Sequence, residues 1–199
     1  MTVPKNPRLQ IANNGRPMSA QISVSNSEML DMILNFYTKE NDIIADVTYG
    51  LGNFWTKRKC KRMLLCSDIE PITPNIRQMD YNKLAYRNES IHCIVFDPPY
   101  AKQNFSFDYR HKGINEQEKV TYSEDNKYWT SDHEIPEKEF SRVLKLNGIV
   151  IHKHSNIEPP LSLFKQIDIL FSVTPFNKAS LPIHKSRPNY SVWHVLQKI

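Results

Sequence analysis

The stretch IHCIVFDPPY, residues 91–100, decides how this chain is read. Five of its first six residues are apolar, and 91–96 reads as a buried strand. The strand must stop where Pro98 and Pro99 follow, because proline lacks the N–H that a central strand donates. An acid, two rigid residues and an aromatic ring therefore stand in a row at the mouth of a strand.

Towards the N-terminus, 42–48 has the pattern of another short buried strand, and 63–66 of a third. Met29, Leu30, Ile33, Leu34 and Tyr37 recur at helical spacing, with Asn26 or Ser27 as the expected N-cap. Further helices are expected over 53–62, 74–84, 136–146 (ended by Asn147-Gly148) and 161–166. Strands are expected over 149–151, 167–173 and 191–196. Strands alternate with helices until the last two, which come with no helix between them. The fold class predicted is α/β, a doubly wound, mostly parallel sheet closed by an antiparallel hairpin.

The 199 residues suffice for one domain with a real core, and a hydrophobic content of 40% with 24% charged residues excludes a disordered chain. Residues 1–20 read as an arm and 21–199 as a single domain. Within it, 101–133 is polar and aromatic without aliphatic periodicity, which reads as a lid or substrate-binding loop. No apolar run approaches the roughly 20 residues that span a bilayer. The basic N-terminal stretch lacks the apolar core of a secretory signal, and three cysteines without a CxxC suit a reduced compartment, so a cytoplasmic location is expected and no metal site. A net charge of +5 and a pI near 9.0 favour an acidic partner, nucleic acid foremost, and no membrane.

Two stretches ahead of residue 97 carry chemistry of their own. Asp46-Val47-Thr48-Tyr49-Gly50-Leu51-Gly52-Asn53-Phe54 stands where the first long strand hands over, and it holds two of the chain's five glycines. Glycine lets a backbone turn sharply and approach a ligand, and this end of the first strand is where open α/β sheets bind nucleotides. An ordinary turn would look similar. Asp68-Ile69 follows the next strand, at the place where an acid takes ribose hydroxyls, although a capping Asp is the plain alternative. Asp80-Tyr81 offers a third carboxylate, suited to an adenine amino group or to a surface turn.

In this order, Asp46–Phe54, Asp68, Asp80 and Asp97–Tyr100 resemble the S-adenosylmethionine-dependent amino methyltransferases with a DPPY motif, the DNA adenine-N6 and cytosine-N4 enzymes among them. The resemblance covers roughly residues 20–199. It extends to a lead-in helix at 23–34, a helix–Gly–strand segment at 139–151 and a closing hairpin at 185–196. It implies a Rossmann-like class I methyltransferase fold with a seven-stranded sheet. The implied cofactor is S-adenosyl-L-methionine, held by Asp46, Thr48, Gly50, Gly52, Phe54, Asp68, Ile69, Asp80, Tyr81 and Asp97. This chain departs from the family at Tyr190-Ser191, where glutamate often follows asparagine, and at Asn147-Gly148, where Gly-Gly is common.

The implied chemistry is methylation of an exocyclic amine, with adenine N6 of DNA as the first candidate. Such a nitrogen delocalises its lone pair into the ring, so two acceptors pulling on its N–H groups restore its nucleophilicity. Asp97 supplies one acceptor and the Pro98 carbonyl the other, Pro99 stiffens the turn, and Tyr100 stacks on the base. Lys102, Phe105, Arg110 and Lys112 in the 101–133 loop, with Lys185 and Arg187 before the last strand, are the candidate nucleic-acid contacts. The basic run 57–62 is a weaker one, since cations late in a helix also complement its dipole. An RNA base methyltransferase (adenine N6 or guanine N2) and an inactive recognition subunit are the alternatives. A partner subunit or a homodimer is left open, because little chain remains for a separate target-recognition domain.

Overall fold

The computed structural model describes residues 21–22, 25–55, 60–72, 74–98, 135–154, 161–173 and 190–199. Within them, the apolar run that ends at Phe96 is a central strand. It is β5 (Ile91–Phe96), paired in parallel with β2 (Ile43–Asp46) on one side and β6 (Leu144–His154) on the other. A strand buried on both faces reads as continuously apolar, which is why its signal was so clear. β3 (Met63–Asp68) and the two-residue β4 (Arg77–Gln78) continue the parallel run beyond β2. On the other flank β8 (Tyr190–Lys198) runs antiparallel to both β6 and β7 (Phe164–Val173), and β1 (Gln21–Ile22) adds in parallel to β7.

The strand order is β1-β7-β8-β6-β5-β2-β3-β4. Strands β2 to β8 make the expected seven-stranded, mostly parallel sheet with an antiparallel end, the Rossmann-like arrangement of class I methyltransferases; β1 adds a short eighth strand. From β2 the chain moves outward to β3 and β4, then returns to β5 on the other side of β2. The order therefore reverses between β2 and β5, and such a reversal opens a crevice at the carboxyl ends of the strands.

Both faces are covered. α1 (Asn26–Tyr37) presents Met29, Leu30, Ile33 and Leu34 at helical spacing against Ile44, Cys93, Val95 and Trp193. α2 (Glu137–Val143) lays Phe140 and Val143 on the opposite face against Ala45, Ile94, Phe96 and Val150. Alternation along β5 sends Cys93 and Val95 one way and Ile94 and Phe96 the other. α1 starts one residue before the expected caps: the Ser25 hydroxyl accepts the Glu28 N–H at 3.3 Å while the Glu28 carboxylate accepts the Ser25 N–H at 2.9 Å, a capping box. No helix among the described residues is long and apolar enough to cross a membrane.

Several expected elements are corrected. Residues 53–55 form turns and 60–62 are not helical, so the described part of 53–62 is no helix. The 74–84 segment is turns around β4, and 161–166 leads straight into β7. The second helix ends at Val143 rather than at 146, and Asn147-Gly148 lies inside β6. There the pairing with β5 slips, Ile91 facing Leu144 while Cys93 faces Ile149. Asn147 adopts φ 61°, a left-handed conformation that asparagine tolerates. A Cβ on Gly148 would lie 2.8 Å from the Lys145 carbonyl oxygen, so close backbone packing selects glycine. The expected arm (1–20) and lid (101–133) lie outside the described residues.

One ion pair ties α2 to the segment that launches β5. Arg142 donates to both Glu139 carboxylate oxygens, at 2.9 and 2.6 Å, and to the carbonyls of Leu84 and Tyr86 at 2.8 and 3.0 Å. The guanidinium holds the Glu139 carboxyl below its usual range. Beneath it Phe140 is fully buried, its ring 5.3 Å from that of Phe96. Phe140→Ala is expected to cost about 3–5 kcal/mol of stability, read as a lower urea midpoint at unchanged slope.

Candidate active site

Four neighbouring parallel strands end, or nearly end, in an acid. Asp46 and Asp68 are the last residues of β2 and β3, Asp97 follows β5 directly, and Asp80 stands two residues past β4. Because these strands run parallel, all four acids come to one edge of the sheet, beside the crevice between β2 and β5.

The glycine turn is built by that edge. The Tyr49 N–H donates to the Ser67 carbonyl at 3.1 Å, and the Gly50 N–H donates to Asp68 Oδ2 at 2.8 Å. Asp68 Oδ1 also accepts the Glu70 N–H at 3.0 Å, so this buried carboxylate is a strut under the turn. Ile69 follows it, partly buried. Gly50 and Gly52 have φ of 52° and 69°, which glycine adopts without strain. A Cβ on Gly50 would project into open space, whereas one on Gly52 would meet the Tyr49 hydroxyl at 2.5 Å.

Asp46 is buried to 1% exposure. Its Oδ1 accepts the Thr48 N–H at 3.1 Å, and its Oδ2 accepts the Trp55 indole N–H at 2.7 Å. Burial pushes its carboxyl from 3.8 up to about 7; those two donors oppose the shift, and the nearby charges of Asp97 and Asp68 add to it. Thr48 crosses the crevice: its hydroxyl accepts the backbone N–H of Asp97 at 2.8 Å. The glycine turn and the Asp97-Pro98 segment are thus joined at the switch point of the sheet. Pro98 is buried behind Asp97.

At the rim, Asp80 is exposed and its Oδ1 accepts the Asn82 backbone N–H at 2.8 Å, the local turn that its plainer reading foresaw. Tyr81 packs edge-on to Phe96 at 5.1 Å, and burial raises its phenol. Phe54 packs against Trp193 at 5.5 Å. Pro99, Tyr100, Lys102, Phe105, Arg110, Lys112, Lys185 and Arg187 lie outside the described residues. Of the basic run 57–62, Arg62 donates to the Leu34 and Thr38 carbonyls at 3.0 and 3.2 Å, which caps the C-terminal end of α1.

Two residues of the site escaped the sequence reading. Trp55 anchors Asp46, and Lys153 on β6 reaches Asp97, its ammonium 3.1 Å from Oδ1. The signal for Lys153 was a lone cation continuing the apolar run Ile149–Ile151, one strand away from the acid. Its neighbour His152 is buried against Phe96.

No known family model matches this chain, and no curated protein is similar to it in sequence. Solved structures resemble it. One is yhhF of Escherichia coli, named as a methyltransferase, at 9% identity and a TM-score of 0.48 over 92% of each chain. An rRNA methylase from Streptococcus thermophilus is 15% identical with a TM-score of 0.43, over 89% of this chain and 99% of that one. A protein from Methanococcus maripaludis, named as an S-adenosyl-L-methionine-dependent methyltransferase, is 12% identical with a TM-score of 0.40 over 64% of this chain. This chain spans 54% of that last protein's length. At such scores these likenesses carry no argument about activity, and the fold assignment rests on the strand order above.

The buried acid has a measurable consequence. Between about pH 4 and pH 7 folded Asp46 keeps a proton that the unfolded chain has released, so its contribution to stability falls as pH rises through that window and levels off above it. Relative to wild type, Asp46→Asn is expected to gain roughly 3–4 kcal/mol between pH 4 and pH 7.5. Urea unfolding of both proteins across that range checks it.

Proposed function

We propose that this protein transfers the methyl group of S-adenosyl-L-methionine to an exocyclic amine of a nucleic-acid base, with adenine N6 in DNA as the preferred substrate. One observation carries the reading: the 2.8 Å bond from the Asp97 N–H to the Thr48 hydroxyl, which holds Asp97 against the glycine turn at the switch point of the sheet.

The residues present fit the cofactor. Open space next to Gly50 leaves room for a ligand to approach the backbone. Burial chiefly, and then the nearby Asp97 and Asp68, disfavour the charged form of Asp46, and a cationic ligand in the crevice would favour that form. Thr48, Gly50, Gly52 and Phe54, with Asp46, Asp68, Ile69, Asp80 and Tyr81 around them, would hold it. Bound there, S-adenosyl-L-methionine supplies a methyl group already activated on a sulfonium.

What remains for the chain is alignment and electrostatics. Asp97 accepts one N–H of the substrate amine and the Pro98 carbonyl the other, returning lone-pair density to nitrogen. The proline and the Thr48 bond fix both acceptors beforehand, so they need not reorganise during transfer. Tyr100 covers the base face, and the cations of 101–133 together with Lys185 and Arg187 receive phosphates. A duplex substrate would have to expose its base at a cost of a few kcal/mol, which single strands avoid.

The decisive assay offers labelled S-adenosylmethionine with duplex DNA, single-stranded DNA and total RNA, and digests the products to nucleosides. N6-methyladenine from DNA is expected, with a loss of roughly 100- to 1000-fold in Asp97→Ala. Label confined to RNA would move the substrate and keep the site. No label, together with no cofactor binding by calorimetry, would leave only a non-catalytic recognition role.

A further inference from the structure

Lys153 stands where the crevice meets the third parallel strand. His152 is the register partner of Phe96, so the next residue on each strand places Lys153 beside Asp97. Its ammonium lies 3.1 Å from Oδ1 and 3.2 Å from Oδ2. Contact with both oxygens holds the carboxylate group in place from one side. The ammonium is itself confined, 5.7 Å from the ring centre of Phe54 and 5.8 Å from that of Trp193. Lys153 is only 7% exposed, unlike the solvated surface pairs whose geometry drifts and whose worth is small.

Burying a lysine carries a desolvation cost that well-packed hydrocarbon would avoid. Ile149 and Ile151, on the same face of β6, are apolar core. A charge at position 153 is therefore not explained by packing, and what it touches is the carboxylate at the mouth of β5.

We propose that Lys153 is the positioning residue for Asp97: its ammonium, set beside the packed Phe54 and Trp193 rings, aims the carboxylate at the substrate amine. The inference rests on the reading of Asp97 as an amine acceptor. It makes Asp97 an acceptor held on two sides, by Thr48 through the backbone and by Lys153 through the side chain. It also links the aromatic wall of the crevice to the reacting nitrogen, since Phe54 and Trp193 set the ammonium and the ammonium sets the acid.

The test uses the full chain with Lys153→Met, which keeps the length and removes the charge, Lys153→Gln, which offers a single neutral donor, and Lys153→Arg, which restores a cation. With duplex DNA or whichever nucleic acid wild type methylates, Lys153→Met is expected to lose about 100-fold in kcat. KM for the nucleic acid and Kd for S-adenosylmethionine should stay within about threefold of wild type, and Lys153→Arg should recover at least about tenfold of the lost rate. A kcat within about threefold of wild type, in a protein that Asp97→Ala inactivates, would overturn the positioning role and leave the proposed function standing. Equal losses in kcat and in cofactor binding would overturn it too, in favour of a merely structural lysine. If Lys153→Met does not fold, Lys153→Gln decides by the same criteria. A crystal structure of the soluble variant gives a readout that survives failure of the functional reading. An Asp97 carboxylate turned from its wild-type rotamer supports the proposal, and an unmoved one overturns it.

Discussion

The bond between the Thr48 hydroxyl and the Asp97 N–H is short, local and uncharged, yet the rest of the site depends on it. Parallel pairing of β2 with β5 brings the two turns alongside each other, and the Val47 N–H to Val95 carbonyl bond carries the ladder one step past the strand. Beyond that point the backbone has no ladder to follow, since Pro98 removes a donor. A side-chain hydroxyl continues the pairing for one more residue and then releases the chain. The position of the acid is therefore inherited from the sheet.

That arrangement has a cost. Asp46 is buried at the end of β2, so its charge is disfavoured chiefly by burial and further by the neighbouring Asp97 and Asp68, against the donors of Trp55 and Thr48. A sequence optimised for stability alone would not place it so. The large apolar contacts on both faces of the sheet, with Phe96 and Phe140 on one and Met29 and Trp193 on the other, let the edge keep this unfavourable charge.

The sheet was legible because β2, β5 and the core of β6 are buried on both faces and so read as apolar runs whatever lies between them. The acids and glycines were legible because strand ends in such a sheet have few alternatives. Helices were less legible. The 74–84 segment has Ile76, Met79 and Leu84 at near-helical spacing, but Met79 bonds to Asp68 through its backbone, and tertiary pairing wins over local periodicity. Asn147-Gly148 has the composition of a helix end, and the same left-handed tolerance serves equally well in a bulge. The lone cation at Lys153 was visible but not its role, which depends on a neighbour 56 residues away in the chain, in a register that only the folded sheet specifies.

The two ends of this sheet are as telling as its middle. β4 has two residues, Arg77 and Gln78, both exposed, and β1 has two as well. A long, flat, apolar border would be a template for a further strand from another molecule. Each of these stubs covers only two residues of its neighbour, Phe171 and Ser172 of β7 and Ser67 and Asp68 of β3. Among the described residues, most of the outer edge of β7 and of β3 therefore has no strand partner, and a further strand would add there rather than at the stubs.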